Sequence, residues 1–434
     1  MLHFAPLDYK FIHCEQFIHY KKFTHYKNSP IIPITQVPKM KNLFPWLTRG
    51  IAILVLPLLL NACATTSRTA EQAPGQNHGF TAAQASVKEW WNIPYPRSFD
   101  VASLPNKQEF IKVQGNGFIT ESGKPFIFRG VNIADPGKLI GQKQWKKGLF
   151  EEVHRWGANT VRLPIHPLSW RKHGSEWFFA RIDEAVRWAN ELNMYLIIDW
   201  HSIGNLEAEM YQHVMYETTQ KETAEFWRKI ALRYRDVPTV AVYEIFNEPT
   251  HDYIGTGSYS LGKSKWENWR NMLEEYIDLI YVYNKKAIPL VAGYNWAYDL
   301  KPIADAPVRR AGVAYAIHPY PQKAKPINPT RESFYAYWDK TWGFVADKYP
   351  MIATELGWSK ETDYGAHVPV INNDGTYGPN IVDYMKNKGI SYTVWVFDPD
   401  WSPVMIKDWK FTPSEQGEFF KQEMLKERAR EQGK

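Results

Sequence analysis

Apolar and polar positions follow two alternating rhythms from about residue 110 onward. Short, nearly continuous apolar runs recur: FIFRGVNI (126–133), NTVRLPI (159–165), MYLIIDWH (194–201), VAVYEIFNEP (240–249), IPLVAGYN (288–295), VAYAIHPY (313–320), MIATELGW (351–358) and SYTVWVFD (391–398). Between them lie segments with apolar residues at helical spacing, such as 145–157, 182–193, 222–236 and 266–284. Runs that are apolar on both faces predict parallel strands covered by helices on each side. Eight such units predict a (β/α)8 TIM barrel, and the length suits one with insertions. Before the first unit, FIKVQGNGFITESGKPFIF carries turn signals at Gly115-Asn116-Gly117 and Ser122-Gly123, which predicts a β-hairpin able to cover the barrel's closed end. The chain closes with a charged helix over 414–432. No G-x-G-x-x-G turn follows the first strand, so a dinucleotide-binding open sheet has no support.

The first 88 residues do not share this rhythm. Residues 41–63 read KNLFPWLTRGIAILVLPLLLNAC: a positive start at Lys41 and Arg49, then an apolar run, Ile51–Leu60, too short to span a bilayer. Leu60-Asn61-Ala62-Cys63 then resembles a bacterial lipobox, which makes Cys63 the expected lipidation site. Ala64 follows, rather than the Asp that marks inner-membrane retention, so the expected location is the cell envelope at the outer membrane. Met40-Lys41 looks like a natural start, and residues 1–39 read as an upstream extension of the frame. The expected division is therefore 1–39 extension, 40–62 lipoprotein signal peptide, 63–88 flexible tether and 89–434 catalytic barrel. The tether is rich in Ala, Thr, Ser, Gln and Gly and has little to bury.

Charge sharpens this division. The net charge of the chain is +6, but residues 1–62 carry seven basic and two acidic side chains, leaving 45 basic against 44 acidic in the rest. A balanced domain argues against a nucleic-acid partner. The two cysteines, Cys14 and Cys63, both precede the folded region, so the domain holds no disulfide. Nineteen Trp and 25 Tyr exceed core needs and suggest surfaces that stack on flat ligands such as sugar rings.

Catalytic groups of a TIM barrel sit at the C-terminal ends of its strands. Those ends supply Asp135; Arg162 and His166; Asp199, Trp200 and His201; Asn247 and Glu248; Asn295 and Trp296; His318 and Tyr320; Glu355 and Trp358; and Trp395 and Asp398. Glu248 and Glu355 close strands four and seven, which face one another across the mouth. Two carboxyl groups flanking a bond, one protonated and one ionised, are what glycoside hydrolysis needs. A metal hydrolase would use His and carboxylates at the same ends, but no H-x-H pair follows strand one and no Lys ends a strand. Neither a metal nor another cofactor is expected. Trp296, Trp358 and Trp401 either line sugar subsites or pack in the shell.

These motifs, IFNEP, IATELGW, AIHPY, NTVRLPI, LIIDWHS and YTVWVFD, together resemble glycoside hydrolase family 5, the cellulase family, over roughly Phe110 to Phe420. The resemblance implies Glu248 as acid/base and Glu355 as nucleophile of a retaining double displacement. It implies Asn247 as the amide on the sugar 2-hydroxyl, and Arg162 and Tyr320 as groups orienting the nucleophile. His318 falls beside the acid/base, and His201 and Trp395 contact substrate next to the cleaved bond. The substrate class implied is a β-linked polysaccharide or oligosaccharide, with endo-β-1,4-glucanase action the commonest theme. Endo-β-mannanase, transglycosylase and non-catalytic sugar-binding barrels are the alternatives, and a monomer is expected.

Overall fold

The structure is a computed structural model and describes residues 96–251, 264–324, 326, 329–372 and 375–433. The expected signal peptide, Cys63 and the tether lie outside the described residues. Eight parallel strands close into a barrel: β4 (Arg129–Asn132), β5 (Thr160–Ile165), β6 (Tyr195–Trp200), β9 (Val240–Glu244), β11 (Ile288–Ala292), β12 (Ala314–Ile317), β13 (Met351–Ala353) and β14 (Ser391–Val394). β14 pairs back onto β4 through Tyr392↔Arg129 and Val394↔Val131, which completes the ring. Each strand falls inside one of the eight apolar runs. All residues of these strands are buried, as strands covered on both faces must be.

Among the described residues the remaining six strands form two small sheets. β1 (Ile111–Gln114), β2 (Gly117–Thr120) and β3 (Pro125–Phe126) make an antiparallel meander, one short strand more than the expected hairpin. Its turn at Gly115 has φ +60°, a conformation that favours glycine. Ile111 and Phe118 of the meander share an apolar cluster with Phe128, Tyr195, Ile197, Val242, Ile288 and Leu290 of the barrel. Phe126 and Phe128 meet edge to face at 4.9 Å, and Phe126 meets Tyr195 at 5.1 Å. The meander therefore stoppers the N-terminal end of the barrel with aromatic packing. The second sheet, β7 (Ile203–Asn205), β8 (Met210–Tyr211) and β10 (Glu248–Pro249), sits at the opposite end.

The outer helices follow their sequence pattern closely. Helices span Lys147–Arg155, Ser175–Glu191, Gln220–Arg233 and Trp266–Tyr283, each burying one stripe against the barrel. The terminal helix Glu415–Glu431 starts at Ser414, whose hydroxyl accepts from Gly417 N as an N-cap, and it places Phe420 and Met424 in the core. Among the described residues no helix is long and apolar enough to cross a membrane.

Candidate active site

The opposite end of the barrel is polar and buried. Every strand delivers at least one functional group there, because the residues just beyond each strand are the first to leave the apolar ladder. Arg162 lies within β5 and is fully buried. Its guanidinium bonds Asn132 Oδ1 at 2.8 Å, Glu244 Oε2 at 2.5 Å, Glu355 Oε1 at 3.0 Å and Asn247 Oδ1 at 2.6 Å. It also lies 3.0 Å from Asp199 Oδ2. One positive charge thus serves three carboxylates. Burial holds Asp199 and Glu244 up at about 7 in spite of that guanidinium.

Glu248 is fixed by its backbone. β10 pairs with β7 in register Glu248↔Ile203 and Pro249↔Gly204, and Glu248 N donates to Ser202 O at 3.0 Å. Glu248 and Pro249 of the Asn-Glu-Pro triplet therefore form a two-residue strand locked onto its own small sheet, which aims the Glu248 carboxyl inward. There Glu248 Oε1 meets His318 Nδ1 at 2.8 Å. Burial pushes Glu248 up to about 7, and the charges of Lys323, Arg162 and His367 offset only part of this. Lys323 in turn donates to the carbonyls of Asn295 and Trp296 at 3.2 and 2.9 Å. Burial of His318 brings it down to about 3, so its ring is neutral.

Glu355 stands two residues past β13. Tyr320 donates its hydroxyl to Glu355 Oε2 at 2.9 Å while Arg162 holds Oε1. One carboxylate oxygen of Glu248, one of Glu355 and a ring nitrogen of His318 lie within 4.8 Å of one another. This trio is also the group of His, Cys, Asp and Glu side chains among the described residues spaced closely enough to hold a cation. Its oxygens already take hydrogen bonds from Arg162 and Tyr320 and face His318.

Asn247 gives its carbonyl oxygen to Arg162, while its Nδ2 is buried and has no partner in the protein. A buried amide donor left open at a cleft is costly unless a ligand hydroxyl takes it. His201 is held by Asp199 Oδ2 at 2.6 Å, and its ring lies parallel to Trp395 at 5.4 Å. Trp395 lies parallel to Trp401 at 6.1 Å, and Lys138, bonded to Asp398 at 2.6 Å, sits 4.7 Å from the Trp401 ring centre. The three rings form one parallel stack in which Trp401 is the partly exposed member.

All eight residues expected from the sequence, Glu248, Glu355, Arg162, His201, Asn247, His318, Tyr320 and Trp395, thus converge on one site. The three further tryptophans divide. Trp401 joins the stack on Trp395, and half-exposed Trp296 donates to Gln212 at 3.0 Å on the rim. Trp358 packs in the shell instead: it is 8% exposed, lies against Phe419 and Phe420, and a Cβ at Gly378 would meet its ring at 2.8 Å. Reasoning from strand ends passed over Asn132, Glu244 and Thr354. The available signal was Glu244, a charge in the middle of the apolar run VAVYEIF.

The profile of the cellulase family, glycosyl hydrolase family 5, matches residues 119–400. A native β-glucanase from Saccharophagus degradans is 62% identical, covering 78% of this chain and 99% of that one, with a TM-score of 0.75; the same β-glucanase has been solved with cellotetraose. An endoglucanase of Paenibacillus polymyxa is 24% identical over 361 residues, 72% of this chain and 86% of that protein. The catalytic domain of a Thermobifida fusca endoglucanase, 20% identical with a TM-score of 0.57 over 73% of this chain and 97% of that one, shares the fold. A barrel built on the strand-end motifs, matched by this family's profile over most of its length, settles the affiliation: the chain belongs to glycosyl hydrolase family 5, the cellulase family.

Proposed function

We propose that this protein is a retaining endo-β-1,4-glucanase. The observation that carries the reading is the placing of Glu248 and Glu355 with carboxylate oxygens within 4.8 Å of each other. Retaining enzymes keep their carboxyl groups about 5–5.5 Å apart, whereas inverting ones leave about 6.5–9.5 Å for a water. Glu355, steadied on both oxygens by Arg162 and Tyr320, attacks the anomeric carbon and forms a glycosyl-enzyme. Glu248, held near 7 by burial, protonates the departing oxygen and then takes a proton from the incoming water. Asn247 Nδ2 donates to the sugar 2-hydroxyl oxygen, and Trp395 with His201 contacts the ring at the cleaved bond. The names of the similar proteins, endoglucanases and a β-glucanase, support a β-1,4-glucan over a mannan or a transfer acceptor.

The test is an NMR time course on a soluble β-1,4-glucan with product sizing. The expected first product is the β-anomer, with mid-chain fragments appearing early. An α-anomer overturns retention, and release of one fixed short product from the start overturns endo action.

The reading extends to location. Lys41, Arg49, the apolar Ile51–Leu60 and Leu60-Asn61-Ala62-Cys63 support an envelope lipoprotein, anchored at the outer membrane through Cys63 with its barrel outside the cytoplasm. The several acyl chains of a bacterial lipoprotein anchor stably where one would not. Cys63→Ser is expected to leave the protein unprocessed and without lipid; processing and membrane retention that persist in this variant overturn the anchor.

A further inference from the structure

Glu248 and Glu355 are joined by an unbroken chain of buried groups. It runs from Glu248 Oε1 to His318 Nδ1 (2.8 Å), from His318 Nε2 to the Thr354 hydroxyl (3.0 Å), and from that hydroxyl to Glu244 Oε1 (2.7 Å). It continues from Glu244 Oε2 to Arg162 Nε (2.5 Å) and from Arg162 to Glu355 Oε1 (3.0 Å). Arg162, Glu244, His318 and Thr354 are fully buried, so no exposed group stands in for a missing partner.

Counting hydrogens fixes the direction of this chain. The Thr354 hydroxyl has one hydrogen. Glu244 accepts Arg162 Nε on Oε2 and the Thr354 hydroxyl on Oε1, so Thr354 donates to it. The Thr354 oxygen is then left to accept, and His318 Nε2 must be the N–H. A neutral imidazole carries one such proton, so Nδ1 turns a lone pair toward Glu248. Two lone pairs 2.8 Å apart repel, whereas a proton on Glu248 makes a hydrogen bond.

We propose that Glu244 and Thr354 are positioning residues of the reaction: acting through His318, they set which imidazole nitrogen bears the proton and so keep Glu248 a proton donor. The proposal rests on Glu248 being the acid/base. Its proton passes to the leaving oxygen and returns from the attacking water, and the chain behind it neither gains nor loses one. While Glu248 is ionised, the Nδ1 lone pair still faces it and strengthens it as a base for that water.

The surrounding charges agree with this direction. Burial pushes both Glu244 and Glu248 up; Arg162 offsets it at Glu244 through a direct hydrogen bond and at Glu248 through its charge alone. Glu244 is also influenced by Asp199 and lies 4.0 Å from His318 Nε2, while Glu355 Oε2 faces His318 Nδ1 at 3.7 Å and Arg162 and Lys323 act on the same ring. Glu248 is further influenced by Lys323, Arg162 and His367, all of which the test leaves in place.

The test combines nitrogen NMR of 15N-histidine-labelled protein with the pH profile of kcat/KM. Wild type and Thr354→Ser are expected to show His318 as the Nε2–H tautomer. In Glu244→Gln the amide replaces an accepting oxygen with a donor. Thr354 then donates to Nε2, Nδ1–H donates to Glu248, and the basic limb falls by about one pH unit. Thr354→Val is expected to act in the same direction. An unchanged tautomer in both Glu244→Gln and Thr354→Val, or identical behaviour of Thr354→Val and Thr354→Ser, overturns the proposal. The tautomer is read without turnover. A tautomer that switches while the basic limb stays fixed therefore overturns it through its premise, the role of Glu248. Melting curves report folding, and if Glu244→Gln is unfolded the two Thr354 variants decide.

Discussion

Tyr320 donates its hydroxyl to Glu355 at 2.9 Å, on the carboxylate oxygen that Arg162 leaves open. The two donors divide the carboxylate between them and fix its plane. Hydrogen bonds to a charged group contribute about 1.5–3 kcal/mol. Tyr320→Phe keeps the ring and removes that bond, so kcat/KM is expected to fall about 10- to 100-fold. The melting temperature should hardly move, and steady-state kinetics beside a thermal melt checks both.

The two carboxyl substitutions should separate by leaving group. Glu355→Ala removes the nucleophile and is expected to abolish turnover, with azide restoring a product of inverted configuration. Glu248→Ala loses about 10²–10⁴-fold on the natural glycan. It should keep most of the glycosylation rate on an aryl glycoside whose leaving group needs no proton. Equal losses on both substrates would remove Glu248 from the acid role.

Arg162 should be irreplaceable for a reason apart from catalysis. Arg162→Met strands Glu244, Asp199 and Glu355 around an apolar side chain. Breaking a buried pair by removing one partner costs about 3–5 kcal/mol. Denaturant unfolding is expected to show a loss of that order or an unfolded chain, and a variant as stable as wild type would contradict the ion pairs described above.

Stability should fall as pH rises through the mildly acidic range. Glu248, Glu244 and Asp199 are each raised to about 7 in the folded protein from ordinary values of 4.5, 4.5 and 3.8. Between those values the native state binds more protons than the unfolded chain, so stability decreases with pH. The contribution is whole below about pH 4 and gone above about pH 7. Glu248→Gln should flatten part of that slope in melting curves taken across this window. The basic limb of wild-type kcat/KM should likewise lie near 7, where Glu248 loses its proton.

The parts of this site that were legible in the sequence share a physical cause. A barrel strand is buried on both faces, so a polar residue just beyond its end breaks off a long apolar run, as Glu248 does four residues past β9 and Glu355 two residues past β13. Glu244 and Thr354 are harder to read because their partners come from other strands. Thr354 follows Ala353, the last residue of β13, and is unremarkable in sequence until closure of the barrel sets its hydroxyl 2.7 Å from Glu244. Asn132 likewise joins only when β4 meets β5 in register Asn132↔Arg162. The fate of Trp358 turned on the terminal helix, whose Phe419 and Phe420 enclose it from 61 and 62 residues further along the chain.

The stopper formed by β1–β3 gives the two ends of the barrel opposite energetic characters. One end gathers Ile111, Phe118, Phe126 and Phe128 into apolar contact; the other confines three carboxylates around one guanidinium. Well-packed apolar surface at the far end offsets the cost of keeping charge out of water at the mouth. A chain beginning after Phe126 would retain every group that touches sugar. It would nevertheless expose the floor beneath them, so the reach of the active site extends through the whole depth of the barrel to residues that never meet a substrate.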